Sequence, residues 1–340
     1  MRFASGAGRR YGWLGLALML CLWAAPGALA AEKAPALDID AVLRAVVRID
    51  SRVPADARTA RGLGTERAGN GVVIDDAGLV LTIGYLILEA REVVLTDADG
   101  REVPADIVAY DHESGFGLVR ALTPLAATAL RLGKSADLAE GEPALIAAHG
   151  GRTQANGAFV VSRREFAGYW EYLLERAIFT SPPHANWGGA ALIGADGRLL
   201  GIGSLLVGDA RPGAEPLPGN MFVPIDLLKP ILGALLEHGN QARPARPWLG
   251  IFTTDARDRI VITRVSPEGP AAAVDLRPGD AVVAVAGAPV RNVAEMYRKV
   301  WALGGAGVEV PLTVRRDELV RQFAIRSGDR NDYLKLRHEY

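Results

Sequence analysis

"PPHANWGGAALIGADGRLLGI", residues 182–202, is the stretch whose reading decides the fold. Two prolines lead into an Asn-x-Gly-Gly turn at 186–189. An apolar run follows to Ile193, then the turn "GADG" (194–197), then a second apolar run from Leu199. Runs this short, bounded by Gly and Asp-Gly turns, read as β-strands rather than helices. The same rhythm extends upstream in "AVVRI" (45–49), "GVVI" (71–74), "LVLT" (79–82), "VVLT" (93–96), "ALIAA" (144–148) and "FVV" (159–161), and downstream in "LLGIGSLLV" (199–207). "DDAG" (75–78) and "DADG" (97–100) supply further turns, and 39 Gly with 20 Pro in 340 residues fit a turn-rich chain. Regular short strands with such turns predict a mostly β sandwich or barrel.

The polar, Gly-rich segment 52–69 reads as a long exposed loop. "PIDLLKPILGALLEHG" (224–239) reads as a helix, with Leu227, Leu228, Ile231 and Leu235 at helical spacing and Gly239 as its stop. "NQARPARP" (240–247) is a linker, and after it the pattern restarts. "WLGIF" (248–252), "RIVITRV" (259–265), the strand within "RPGDAVVAVAG" (277–287), "VEVPLTV" (308–314) and "LVRQFAI" (319–325) are strand-like, with helices expected at "GPAAAVDL" (269–276) and "NVAEMYRKVWAL" (292–303). The organisation expected is therefore a first domain over 38–239, the linker 240–247, a second domain over 248–327, and a loose charged tail over 328–340.

Residues 1–30 stand apart. Arg2, Arg9 and Arg10 precede the apolar run "WLGLALMLCLWAA" (13–25), and "ALA" (28–30) is a small-x-small cleavage site. This is the layout of a cleavable signal peptide cut after Ala30, and it predicts a periplasmic or secreted protein. Losing the three arginines moves the formal charge from −1 to −4, which gives no basic face for nucleic acid. The one cysteine, Cys21, lies in the signal, so the mature chain is expected to have no disulfide and no thiol nucleophile. The five histidines are scattered without paired ligand spacing, so neither metal nor cofactor is expected.

Four stretches resemble the HtrA/Deg family of trypsin-like serine proteases: "GNGVVIDDAGLVLT" (69–82), "LGKSADLAEGEPALIAAHGG" (132–151), "GGAALIGADGRLLGI" (188–202) and "GNMFVPID" (219–226). The second domain resembles the PDZ domain that follows in that family, through "PWLGI" (247–251) and "SPEGPAAAVDLRPGDAVVAVAGAPVRN" (266–292). The resemblance implies a trypsin-like double β-barrel followed by a PDZ domain, itself a β-sandwich or partly open barrel with two helices. The family's His, Asp and Ser are what this chain lacks. "TIGYLI" (82–87) puts Tyr85 at the base position, "GFGLVR" (115–120) puts Gly115 at the orienting position, and the nucleophile position is Trp187.

Acyl transfer on this fold needs an attacking hydroxyl, a base working near neutral pH, and an anion that orients the base. A phenol titrating near ~10 is a poor base, an indole has no nucleophilic atom, and glycine has no side chain. The former oxyanion turn would be Ala185, Asn186 and Gly188, with the indole in the space an oxyanion would need. Tyr85 and Trp187 are expected to plug the cleft together. Local pairs such as Ser181 with His184, or Ser114 with His112, could in principle form a displaced couple.

In the PDZ domain, Trp248, Leu249, Gly250 and Ile251 are expected to form the peptide site, because consecutive backbone N–H groups can hold a terminal carboxylate beside a strand edge. The resemblance then implies an exported pseudoprotease that binds C-terminal peptides or unfolded polypeptides as scaffold, chaperone or regulator in envelope protein quality control. An active relative is a candidate partner, and a homo-oligomer, trimeric in the family, is a candidate assembly. The alternative is an active periplasmic serine endopeptidase with a non-standard site.

Overall fold

In the computed structural model, residues 38–213, 215–239 and 244–336 are described; the expected signal peptide, residues 1–30, and the first part of the expected linker lie outside them. The short apolar runs pair antiparallel and close on themselves twice. After helix α1 (Ile39–Arg44), the first barrel contains β1 (Val46–Arg52), β2 (Glu66–Val73), β3 (Leu79–Ile83), β4 (Glu92–Thr96), β5 (Glu102–Tyr110) and β6 (Phe116–Ala121), in the order β1-β2-β3-β6-β5-β4. The second contains β7 (Pro143–Ala147), β8 (Ala155–Gly168), β9 (Tyr172–Ser181), β10 (Ala191–Ile193), β11 (Leu199–Val207) and β12 (Gly219–Pro224), in the order β10-β11-β12-β9-β8-β7. Closure leaves neither barrel a free strand edge.

Strand β8 is longer than its barrel needs. It pairs with β7 only through Phe159, and from there to Gly168 it pairs with β9 alone. Residues 164–177 thus form a two-stranded ribbon with its turn at Tyr169–Glu171. Such a ribbon is marginal in water without a surface to pack on. Here that surface is the second domain: Leu173 is buried in the second domain's core beside Leu249, Ile251 and Tyr297.

The second domain is an antiparallel sheet of β13 (Ile251–Ala256), β14 (Arg259–Val265), β15 (Ala281–Val285), β16 (Ala288–Pro289), β17 (Glu309–Arg316) and β18 (Leu319–Arg326). Its order is β13-β14-β15-β17-β18, with β16 on β15. Five helices occur in all among the described residues: α1, α2 (Ala60–Leu63), α3 (Leu232–His238), α4 (Val293–Trp301) and α5 (Arg330–Tyr333). The Asn292 side chain caps α4, accepting from the Glu295 amide at 2.8 Å. No helix among the described residues is long and apolar enough to cross a membrane.

Four expectations are corrected. The 52–69 segment is no plain loop: β1 reaches Arg52, α2 lies within it, β2 begins at Glu66, and Arg67 is buried. Arg67 escapes the cost of burial by donating to the carbonyls of Gly64, Tyr85 and Leu88. The helix over 224–239 is broken, with a 3₁₀ turn at Ile225–Leu227 and α3 only from Leu232, because Pro230 cannot donate within a helix. "GPAAAVDL" gives only a 3₁₀ turn, Ala272–Val274. The tail is packed through Lys335: Gly328 exchanges backbone bonds with Trp248, and the Lys335 amide donates to Glu89 at 2.8 Å.

Candidate functional site

The region where the resemblance puts the catalytic positions takes residues from both barrels. Tyr85 sits in a 3₁₀ turn after β3, Gly115 just before β6, and Trp187 in the turn before β10. Tyr85 is half-buried and its phenol donates to the Ser204 carbonyl at 2.9 Å. Burial pushes its pKa further up, opposed by a hydrogen bond from the Trp187 side chain. The phenol's proton is held by the Ser204 carbonyl, and Tyr85 and Trp187 line the same pocket.

Gly115 is closed to a side chain. Its φ is +82°, a conformation that favours glycine, and a Cβ there would stand 3.1 Å from the Tyr172 hydroxyl. Tyr172 is buried and its hydroxyl donates to the Ser114 carbonyl at 2.5 Å. A side chain at 115 would meet the tyrosine ring.

The Asn-x-Gly-Gly turn is kept by backbone packing. The Asn70 amide donates to the Gly188 carbonyl at 2.8 Å, the Gly189 amide to Gly203 at 2.8 Å, and the Ala190 amide to Trp187 at 3.0 Å. The Asn70 side-chain amide also donates to the carbonyls of Asn186 and Gly188. Ala185 and Asn186 are exposed at its rim.

The displaced couples do not form. Ser181 donates to the Pro218 carbonyl, and Ser114 donates to Asp111. His184 accepts from the Asn186 amide at Nδ1, which leaves the proton on Nε2 facing the Gln154 carbonyl at 3.3 Å. Its burial favours the neutral form. Around the cleft, among the described residues, the lining holds one imidazole (His149), one hydroxyl (Tyr85), one cation (Arg48) and no carboxylate. His149 is itself engaged, its Nε2 lying 3.0 Å from the Asp97 carbonyl. No group of residues that could hold a metal ion occurs among the described residues.

The second site is the loop at the start of β13. The amides of Leu249, Gly250 and Ile251 converge on one carboxylate, at 2.9, 2.7 and 3.0 Å. That carboxylate belongs to Glu171, at the tip of the ribbon. Trp248, also expected in the peptide site, instead pairs its backbone with Gly328 and packs its ring on Tyr333 at 4.6 Å. Alongside, the Thr253 amide of β13 donates to the Tyr169 carbonyl at 2.9 Å. The Tyr297 hydroxyl of α4 accepts from the Glu171 amide at 3.1 Å and donates to the Gly168 carbonyl at 2.9 Å. Burial pushes the Glu171 carboxyl up to about 7, while the three amides and the charge of Arg330 hold it down.

Reading the sequence missed Glu171, Tyr172 and Tyr297. The signal that marks the first two was an acid ringed by aromatics, "YWEY" (169–172), at a turn. Nothing local announces that this turn meets a loop 78 to 80 residues further on.

A family model described as a trypsin-like peptidase domain matches residues 69–202, and one described as a PDZ domain matches 247–326. A probable periplasmic serine protease, do/HhoA-like, of Haemophilus influenzae is 29% identical over 283 residues, covering 76% of this chain and 57% of its own length. The serine endoprotease DegS of Escherichia coli is 26% identical over 272 residues, covering 74% of this chain and 73% of its own. The periplasmic serine endoprotease DegP of the same organism is 26% identical over 267 residues, and only 54% of its length is matched. Among solved structures, the HtrA-type protease AlgW with tripeptide aligns with a TM-score of 0.51 at 20% identity, over 85% of this chain and 95% of that one. The same protease with decapeptide aligns with a TM-score of 0.51 at 20% identity, over 88% and 98%. At that identity the structures are a likeness of fold.

Proposed function

This chain is a homologue of the HtrA/Deg proteases, a trypsin-like peptidase domain followed by one PDZ domain, and from that premise we propose that it is an exported pseudoprotease. Its barrels are a scaffold, and its PDZ domain receives the C-terminal ends of peptides or unfolded chains in the cell envelope. One observation carries this reading: the Tyr85 phenol is bonded to a carbonyl where a base is needed, Gly115 faces a tyrosine ring where an anion is needed, and an indole stands where a hydroxyl is needed. The relatives are serine endoproteases by name; that the cleft lining among the described residues holds one imidazole, His149, and neither a serine nor a carboxylate supports the pseudoprotease reading. Peptide reception is supported by three amides already arranged around a carboxylate and by the peptides bound in the AlgW structures. Export is supported by the periplasmic relatives and by the leader-like first thirty residues.

The test is incubation of the purified chain with denatured casein and with a serine-directed phosphonate. The expected result is no turnover and no covalent label, and the same for Trp187→Ser, since neither base nor orienter is present. Turnover blocked by the phosphonate would return the protein to the working proteases. For the PDZ domain, Gly250→Asp should abolish binding of peptides with a free C-terminus; unchanged affinity removes the carboxylate-loop assignment.

A further inference from the structure

The carboxylate loop of the PDZ domain is satisfied from within the chain. Glu171 Oε1 accepts from Gly250 and Ile251 and Oε2 accepts from Leu249, so the three amides are spent on one side chain. Two residues earlier, the Tyr169 carbonyl takes the Thr253 amide of β13, the outermost strand of the sheet. An extended peptide ending in a carboxylate would use these same donors, the loop amides for its end and the strand amide for its backbone. The ribbon turn is thus a built-in substitute for a peptide terminus.

The substitute is held against local strain. Glu171 has a φ of +57°, unfavourable for a residue with a side chain, and keeps it only because the surroundings fix it. The clamp is on every side: Tyr297 bonds the turn at Glu171 and Gly168, Arg330 donates to the Trp170 carbonyl at 3.2 Å, and Arg298 pairs with Glu165 and Glu175 on the two arms of the ribbon.

We infer that the Tyr169–Glu171 turn is an intramolecular ligand of the PDZ groove, and that a partner's C-terminus binds by displacing it. The inference deepens the peptide-binding reading and rests on it for the identity of the competitor. A tethered ligand acts at a high effective concentration, so the free peptide sees an affinity reduced by the fraction of molecules whose groove is open. Removing the Glu171 carboxylate opens the groove and strengthens the binding of peptides in trans.

The experiment uses the intact chain and a fluorescein-labelled octapeptide ending in Tyr-Trp-Val, as the free acid and as the amide, read by anisotropy. Tyr-Trp reproduces the order seen at Tyr169-Trp170. Expected is weak binding of the acid by the wild type, at least about tenfold tighter binding by Glu171→Ala and by Glu171→Leu, neither of which keeps an acceptor for the loop amides, and no gain for the amidated peptide. Equal and tight binding of the acid by wild type and both variants overturns the inference and leaves the peptide-binding reading intact. If the acid binds none of them, that reading fails, and amide hydrogen exchange decides the internal contact by itself. Protection at Leu249–Ile251 should then fall at least about tenfold in Glu171→Ala with the barrel amides unchanged; undiminished protection overturns the inference.

Discussion

In the cleft, Trp187 and Tyr85 spring from short turns rooted in closed barrels; the Tyr85 phenol donates to the Ser204 carbonyl, and the Trp187 carbonyl accepts from the Ala190 amide. In the groove, Glu171 rides at the end of a two-stranded ribbon and its partners are amides of another domain. Both are places where a polypeptide could be received, and they differ in how they are occupied. The cleft is an open pocket lined by Tyr85, His149 and Trp187, while the loop amides of the groove are occupied by Glu171. Changing the cleft's walls means disrupting barrel packing; emptying the groove means lifting one turn and exposing a few hydrogen bonds and part of a ribbon. A contact between a ribbon and a loop can be exchanged for an equivalent one.

The contrast can be broken or sharpened by substitution. The largest effect is expected at Gly189, whose φ is +74° and whose Cβ would run into the Asn70 carbonyl. Gly189→Ala should cost about 3 kcal/mol or more in denaturant unfolding. A cost below ~1 kcal/mol would show the cleft turn to be as yielding as the groove.

Next comes pH. Burial raises Glu171 to about 7 from 4.5, so the docked form holds its proton more tightly than the released form. Docking is therefore strongest below 4.5 and weakens as pH rises through about 7, by up to ~3 kcal/mol. Arg330 and Tyr297 face this carboxyl, and Asp111, His112, Glu113 and Arg246 line the pocket beside it. His112 has the opposite sign: burial holds it neutral, and stability is lost as pH falls below the ordinary histidine range. The difference between wild type and Glu171→Gln isolates the carboxyl. Melting followed from pH 5 to 8 should show wild type losing stability relative to the variant, and parallel curves would contradict the assignment.

Tyr297→Phe should cost about 1–3 kcal/mol, since it strips the Glu171 amide and the Gly168 carbonyl of their shared partner in a buried place. Its peptide affinity should move in the same direction as Glu171→Ala. Arg298→Ala removes only exposed ion pairs to Glu165 and Glu175 and should change stability by under ~1 kcal/mol. Smallest of all is the gain expected from placing the residues of the proposed triad at these positions: Tyr85→His, Gly115→Asp and Trp187→Ser together should remain inactive on casein. The backbone at 115 is left-handed and Tyr172 occupies the space beyond it.

Much of this architecture is readable from one-dimensional pattern. The runs that became β1, β3, β4, β7 and β11 are apolar, short and flanked by Gly or Asp, and β14 spans the same residues as "RIVITRV". Strands β5 and β9 escaped notice because Glu102–Tyr110 and Tyr172–Ser181 mix charged and apolar residues without clean alternation. Their strand character comes from their neighbours in the barrel. The broken helix at Pro230 was legible in principle, since proline ends a helix by covalent geometry.

Sequence alone determined the kinds of atoms each site could have: no hydroxyl at 187, no imidazole at 85, no carboxylate at 115, and a run of amides at 249–251 able to bind an anion. Those limits are chemical and need no neighbours. Only the tertiary structure decided what filled the spaces, because filling depends on contacts between residues distant in the chain. It set Tyr172 against Gly115, the Tyr85 phenol against the Ser204 carbonyl, and the Glu171 carboxylate into the amides of Leu249, Gly250 and Ile251.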